Sequence, residues 1–119
     1  TQIGQDIYGV GDDDHCGKSV ALDSIGNTLV VGSTGNDDNG NDAGQVRVFE
    51  YTGGIWNQIG QNINGENSDD LSGWSLSINN NGNIIAIGGD DQFLYVLNGA
   101  TKNEIEPIKI NERIRKIVY

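Results

Sequence analysis

Gln2-Ile3-Gly4-Gln5 and Gln58-Ile59-Gly60-Gln61 are the same four residues, 56 positions apart, and that offset decides the fold. Along it Ile7 meets Ile63, Gly9 meets Gly65, Asp13-Asp14 meets Asp69-Asp70 and Gly17 meets Gly73. Ser19 then meets Ser75, Gly26-Asn27 meets Gly82-Asn83 and Gly32 meets Gly88, so that 13 of the 32 positions from Thr1 to Gly32 are identical. Agreement this dense is an internal duplication. A duplicated unit of this size is one supersecondary element that buries its apolar face against its neighbours. Beyond Gly88 the offset shortens to 47, where Gln45-Val46-Arg47-Val48-Phe49 aligns with Gln92-Phe93-Leu94-Tyr95-Val96. The second unit has lost residues from one loop, a change that a sheet framework tolerates.

Each unit reads as four strands. Ser19–Leu22 ends at the turn Asp23-Ser24-Ile25-Gly26-Asn27, and Thr28–Val31 is a continuous apolar, β-branched run suited to burial on both faces. Val46, Val48 and Phe49 mark a third strand, and Thr52-Gly53-Gly54 turns into a fourth over Ile55–Ile59. The second unit follows with Ser75–Ile78, Ile84–Ile87, Phe93–Leu97 and about 102–108. No segment carries a helical period. Four short antiparallel strands every 40 to 60 residues is the sequence form of a β-propeller blade. The expected fold is therefore all-β, two blades of four antiparallel strands with partial flanking strands. The first repeat covers about 1–56, the second about 57–108, and a third blade begins at about 109–119. Thr1–Gly4 is expected to be the last strand of a preceding blade and Arg113–Tyr119 the first of a following one. Two blades cannot close a ring, so the segment should belong to a longer chain or to a protomer completed by other copies. Val20, Leu22, Leu29, Val31, Val46 and Val48 are expected between the sheets, with Leu76, Ile78, Ile85 and Ile87 facing them.

Seventeen acids against seven bases give a net charge of −10, and five of the bases fall in residues 101–119. So acidic a surface repels phosphate backbones and excludes nucleic acid as a natural partner. It suits cations and basic partners. No run approaches the apolar length of a membrane span, so membrane insertion is not expected. Cys16 is the single cysteine, which rules out an internal disulfide.

Gly17-Lys18-Ser19-Val20-Ala21-Leu22, then Gly26, then Leu29-Val30-Val31-Gly32, resembles the FG-GAP propeller repeats of integrin α subunits. The likeness is closer still to the integrin-α-like repeats of secreted or surface proteins of bacteria, algae and large viruses, which often carry a strand like Trp56-Asn57-Gln58-Ile59-Gly60. It covers residues 1–98 and implies the propeller fold, an extracellular, cell-surface or virion-surface location, and work as an adhesion or interaction module. The pattern departs where Cys16-Gly17 and Ser72-Gly73 replace the family's Phe-Gly. The resemblance would place calcium between the first two strands. Here those connections, Asp23–Asn27 and Asn79–Asn83, are too short and too poor in carboxylates, and that site does not carry over.

A different loop is the candidate for calcium. Asn36-Asp37-Asp38-Asn39-Gly40-Asn41-Asp42 sets Asp37, Asn39 and Asn41 at alternate positions, with Asp42 following. Ca²⁺ takes six to eight such oxygens, although no Glu stands at the twelfth place, and a solvated turn is the alternative. Without a cation its acids should turn out to water. Asp12-Asp13-Asp14 and Asp69-Asp70 recur at equal spacing before Gly17 and Gly73, which favours carboxylates that accept backbone N–H groups and hold a turn. His15 and Cys16 become Leu71 and Ser72 in the second unit and lack partners for a metal or a nucleophile. Trp56 sits among apolar strand residues and should pack. Trp74 replaces Lys18, so an exposed ring and a ligand contact are expected there.

No phosphate loop, catalytic triad or nucleotide fingerprint occurs. The expected function is a non-enzymatic adhesion or protein/glycan interaction module, flanked by neighbouring blades of the same or other chains. The rivals are part of a propeller enzyme (a lyase, glycosidase or quinoprotein) with its catalytic residues outside this segment, and a structural component of an assembly such as a virion.

Overall fold

The computed structural model describes residues 2–65, 67–82, 84–89, 94–98 and 107–110. They form two four-stranded antiparallel sheets in simple meander order, and no helix occurs among them. The first sheet holds β1 (Cys16–Leu22), β2 (Thr28–Ser33), β3 (Gln45–Thr52) and β4 (Ile55–Asn64). The second holds β5 (Ser75–Ile78), β6 (Ile84–Gly88), β7 (Leu94–Asn98) and β8 (Pro107–Ile110). This is the expected architecture of two consecutive four-stranded blades.

The hairpin turns repeat as the sequence does. Asp23 Oδ1 accepts the N–H groups of Asn27 (2.8 Å) and Thr28 (3.1 Å), while the Asp23 N–H donates to the Thr28 carbonyl. Fifty-six residues on, Asn79 Oδ1 accepts the Ile84 N–H at 3.0 Å and the Asn79 N–H donates to the Ile84 carbonyl. A short polar side chain that caps its own backbone fixes each turn, and with it the register of the strands that follow.

The sheets pack face to face, with β5 lying against β1 and β2. Val30, Val46 and Val48 of the first sheet meet Ile85 and Ile87 of the second, with Ile59, Ile63, Leu76 and Ile78 packed around them. Register explains the set: Val30 pairs with Val48, which pairs with Ile59, so the three share one face. Leu76 pairs with Ile87 and Ile78 with Ile85.

The expectation for Val20 and Leu22 is overturned. Val20 pairs with Val31, which pairs with Arg47, and Leu22 pairs with Leu29, which pairs with Phe49; all of these lie on the face turned away from the second sheet. Val20 is 60% exposed and Leu22 54%. Leu29 is half-buried, and Val31, although buried, is covered on that outer face rather than between the sheets.

The N-terminal segment also differs from expectation. Gln2–Gly4 is not a strand. Instead Gln5 uses its side-chain amide as a strand would use its backbone, donating to the Trp56 carbonyl (2.6 Å) and accepting the Trp56 N–H (2.8 Å). An edge strand with unpaired backbone groups is thereby partly satisfied. The strand expected at Arg113–Tyr119 lies outside the described residues.

Candidate functional site

The candidate residues fall into three places. The first is the start of β5. Gly73 has φ +93°, a left-handed conformation that costs a residue without a β-carbon little, and it throws Trp74 out at the mouth of the strand. Trp74 is 55% exposed, and Lys18 Nζ stands 5.0 Å from the centroid of its ring. Since Lys18 and Trp74 occupy the same position of successive repeats, a cation and an aromatic ring from neighbouring blades meet at the junction.

The second place is the loop between β2 and β3. Asp37 and Asp38 are exposed but engaged: Asp37 Oδ1 accepts the Asp42 N–H at 2.8 Å, and Asp38 Oδ2 accepts from Gln45 Nε2 at 2.9 Å. Asn36 Oδ1 accepts the Asp38 N–H, and Asn39 Nδ2 donates to the Gly65 carbonyl at 2.7 Å. Asp42 adopts φ +55° and Asn41 is exposed, its carbonyl accepting the Asp69 N–H at 2.8 Å. Asp37 and Asp38 are thus exposed to water and at the same time accept protein donors within the loop. Among the described residues no group of three or more His, Cys, Asp or Glu side chains is arranged to hold a metal ion.

The third place is the pair of acidic turns. Asp14 is 5% exposed, and its Oδ2 accepts the Gly11 N–H (2.8 Å) and Asn36 Nδ2 (2.9 Å). Asp70, its counterpart, is also buried and accepts the Asn67 N–H at 2.9 Å. Asp13 and Asp69 share φ near +60°, as do His15 and Leu71 at +57° and +51°. The repeated acids therefore build a repeated turn. Cys16 is a free thiol whose Sγ accepts from Arg47 Nη2 at 3.2 Å. Trp56 packs against Tyr51, ring centroids 5.0 Å apart, and donates to the Ile3 carbonyl.

Two buried polar residues escaped the sequence reading. Arg47 is 7% exposed; its Nη2 also donates to the Tyr8 carbonyl at 2.8 Å, its guanidinium lies over Phe49, and its Nε has no hydrogen-bond partner among the described residues. It clamps the N-terminal arm onto the outer face of the first sheet. Gln45 is fully buried and donates from Nε2 to Asp38 and Asn64, and its Oε1 has no hydrogen-bond partner among the described residues. The signal for Arg47 was there, as a lone cation within Gln45-Val46-Arg47-Val48-Phe49. At the opposite strand ends, a cleft of about 570 Å³ has Ser24, Asn79, Asn80 and Asn81 among its lining residues, which bring hydroxyl and amide groups.

No curated protein and no solved structure gives a significant match to the chain. Residues 9–49, which span β1, β2 and most of β3, match the family model of the FG-GAP repeat, so the first of the two four-stranded sheets is similar to an FG-GAP repeat over this stretch.

Proposed function

We propose that the chain is a non-enzymatic binding module that takes a protein or glycan partner at the strand ends beside Trp74, at an extracellular, cell or virion surface. The observation that carries this reading is Trp74 itself. A large ring held in water on a rigid two-sheet frame, with Lys18 beside it, is pre-positioned to bury area on binding at little conformational cost. The net charge of −10 favours basic peptides among protein partners. Against the enzymatic rival, the buried turn acids Asp14 and Asp70 are engaged with backbone and amide donors, and the cleft's described lining brings no acid or base.

Binding of the chain to an immobilised panel of glycans and basic peptides is the test, with Trp74→Ala beside the parent. The reading predicts binders in the panel whose affinity falls by about 2 kcal/mol in the variant. Binding that Trp74→Ala leaves unchanged would contradict it.

A further inference from the structure

Lys18 and Trp74 leave their strands through the same backbone turn. The Lys18 N–H donates to the His15 carbonyl at 3.0 Å, and the Trp74 N–H donates to the Leu71 carbonyl at 3.1 Å. His15 and Leu71 hold φ +57° and +51°, and Gly17 and Gly73 hold +88° and +93°. Two turns alike in bonds and dihedrals fix where each side chain starts, so the ammonium and the ring meet on a preset frame.

What the pair offers is donors. In residues 1–100 the bases are Lys18 and Arg47, set against fourteen acids; Arg47 is buried and Lys18 is exposed. Among the described residues the Lys18 ammonium makes no ion pair and rests 5.0 Å from the centroid of the Trp74 ring. The Trp74 indole N–H likewise has no acceptor among the described residues, whereas the Trp56 indole donates to the Ile3 carbonyl. An ammonium and an indole N–H can donate hydrogen bonds and cannot accept them. Beside them stands a ring that is 55% exposed, an apolar plate on which the C–H face of a pyranose can lie.

Resting on the reading of Trp74 as the binding residue, we propose that this site takes a pyranose bearing a single carboxylate, a uronic acid at the end of an otherwise neutral glycan. The sugar lies on the Trp74 ring in place of the Lys18 ammonium, and its carboxylate accepts from Lys18 Nζ and from the indole N–H. Lys18 is free to make that move, because an exposed cation–π contact is weak and the lysine stem is flexible. Charge limits the ligand to one acid. A carboxylate against Lys18 meets attraction first, but the other acids of the chain act over a screening length of about 10 Å and repel a polyanion with an acid on every sugar. A basic peptide, which the net charge of −10 draws to the chain, would set a second cation against Lys18 at this spot.

Titration of the isotope-labelled chain, followed at the Trp74 indole and Ser75 amide resonances, tests the proposal. The probes are the methyl glycosides of glucuronic and galacturonic acid, their neutral parents methyl glucoside and methyl galactoside, and trilysine. At least one acidic glycoside should move both resonances with a Kd about tenfold or more below that of its neutral parent, the margin expected of a hydrogen bond between charged groups. Lys18→Gln should erase that margin, added salt should narrow it, and Trp74→Ala should abolish the response of Ser75 to either sugar. Acidic and neutral glycosides that bind equally, a margin that survives Lys18→Gln, or a response to trilysine alone would overturn the proposal and leave Trp74 standing as a binding residue. No response to any probe would also overturn it, and together with a panel of glycans and basic peptides that yields no binder it would overturn the reading of Trp74 as well.

Discussion

Gly32 on β2 lies directly against Gly73 at the entrance to β5, with no room for a side chain between them. A β-carbon on Gly32 would meet the Gly73 carbonyl oxygen at 2.5 Å, and one on Gly73 would meet the Gly32 Cα at 3.0 Å. These two glycines set how closely the sheets approach, and the closeness brings Leu76 and Ile78 onto Val30, Val46 and Val48.

Gly32→Ala should therefore destabilise the chain by about 1–3 kcal/mol through overpacking against backbone. Gly88→Ala, at the same position of the next repeat, meets the movable Ser75 hydroxyl and should cost clearly less. Urea denaturation of the two variants measures the difference. Equal costs would mean that the glycine contact does not hold the sheets.

Asp14 ties the turn before β1 to the loop after β2. Asp14→Ala leaves the Asn36 amide buried without its acceptor and should cost about 1–3 kcal/mol. Asp12, exposed in the same acidic run, should tolerate Ala within about 0.5 kcal/mol. Thermal melts of both variants check the contrast, which separates a turn-building carboxylate from a solvated one.

Calcium at Asn36–Asp42 would have to compete with the Asp42 N–H for Asp37 and with Gln45 for Asp38. Calorimetry should accordingly show heat only at millimolar calcium, a Kd on the order of 10⁻³ M. Asp37→Ala and Asp42→Ala should remove what heat there is. Micromolar binding would contradict this loop geometry.

The repeat made the strands and their grouping legible, because alternation and turn residues are local signals. Ser75–Ile78 was read to the residue, and the hairpins at Asp23 and Asn79 were marked by residues that cap themselves. Which face of a strand meets its neighbour was not legible from alternation alone, and Val20 and Leu22 went to the wrong side. Register settles it: their counterparts Leu76 and Ile78 are the packed pair, so the two sheets present opposite faces to one joint. The bond from Asn36 to Asp14 and the clamp of Arg47 on Tyr8 cross 22 and 39 residues, and no local pattern announces contacts of that range. Trp74 was found because the repeat set it where Lys18 stands, a comparison that bypasses the need for contacts.

Two copies of one four-stranded unit stack through opposite faces, with Gly32 and Gly73 in contact. A nuclear Overhauser spectrum of the isotope-labelled chain tests it most directly, because the Gly32 and Gly73 α-protons point at each other across the joint. Strong cross-peaks are expected between these α-protons, accompanied by peaks linking the Leu76 and Ile78 methyls to those of Val30 and Val48. Methyl contacts running instead from Val20 and Leu22 to Ile85 and Ile87, with no Gly32–Gly73 peak, would contradict it.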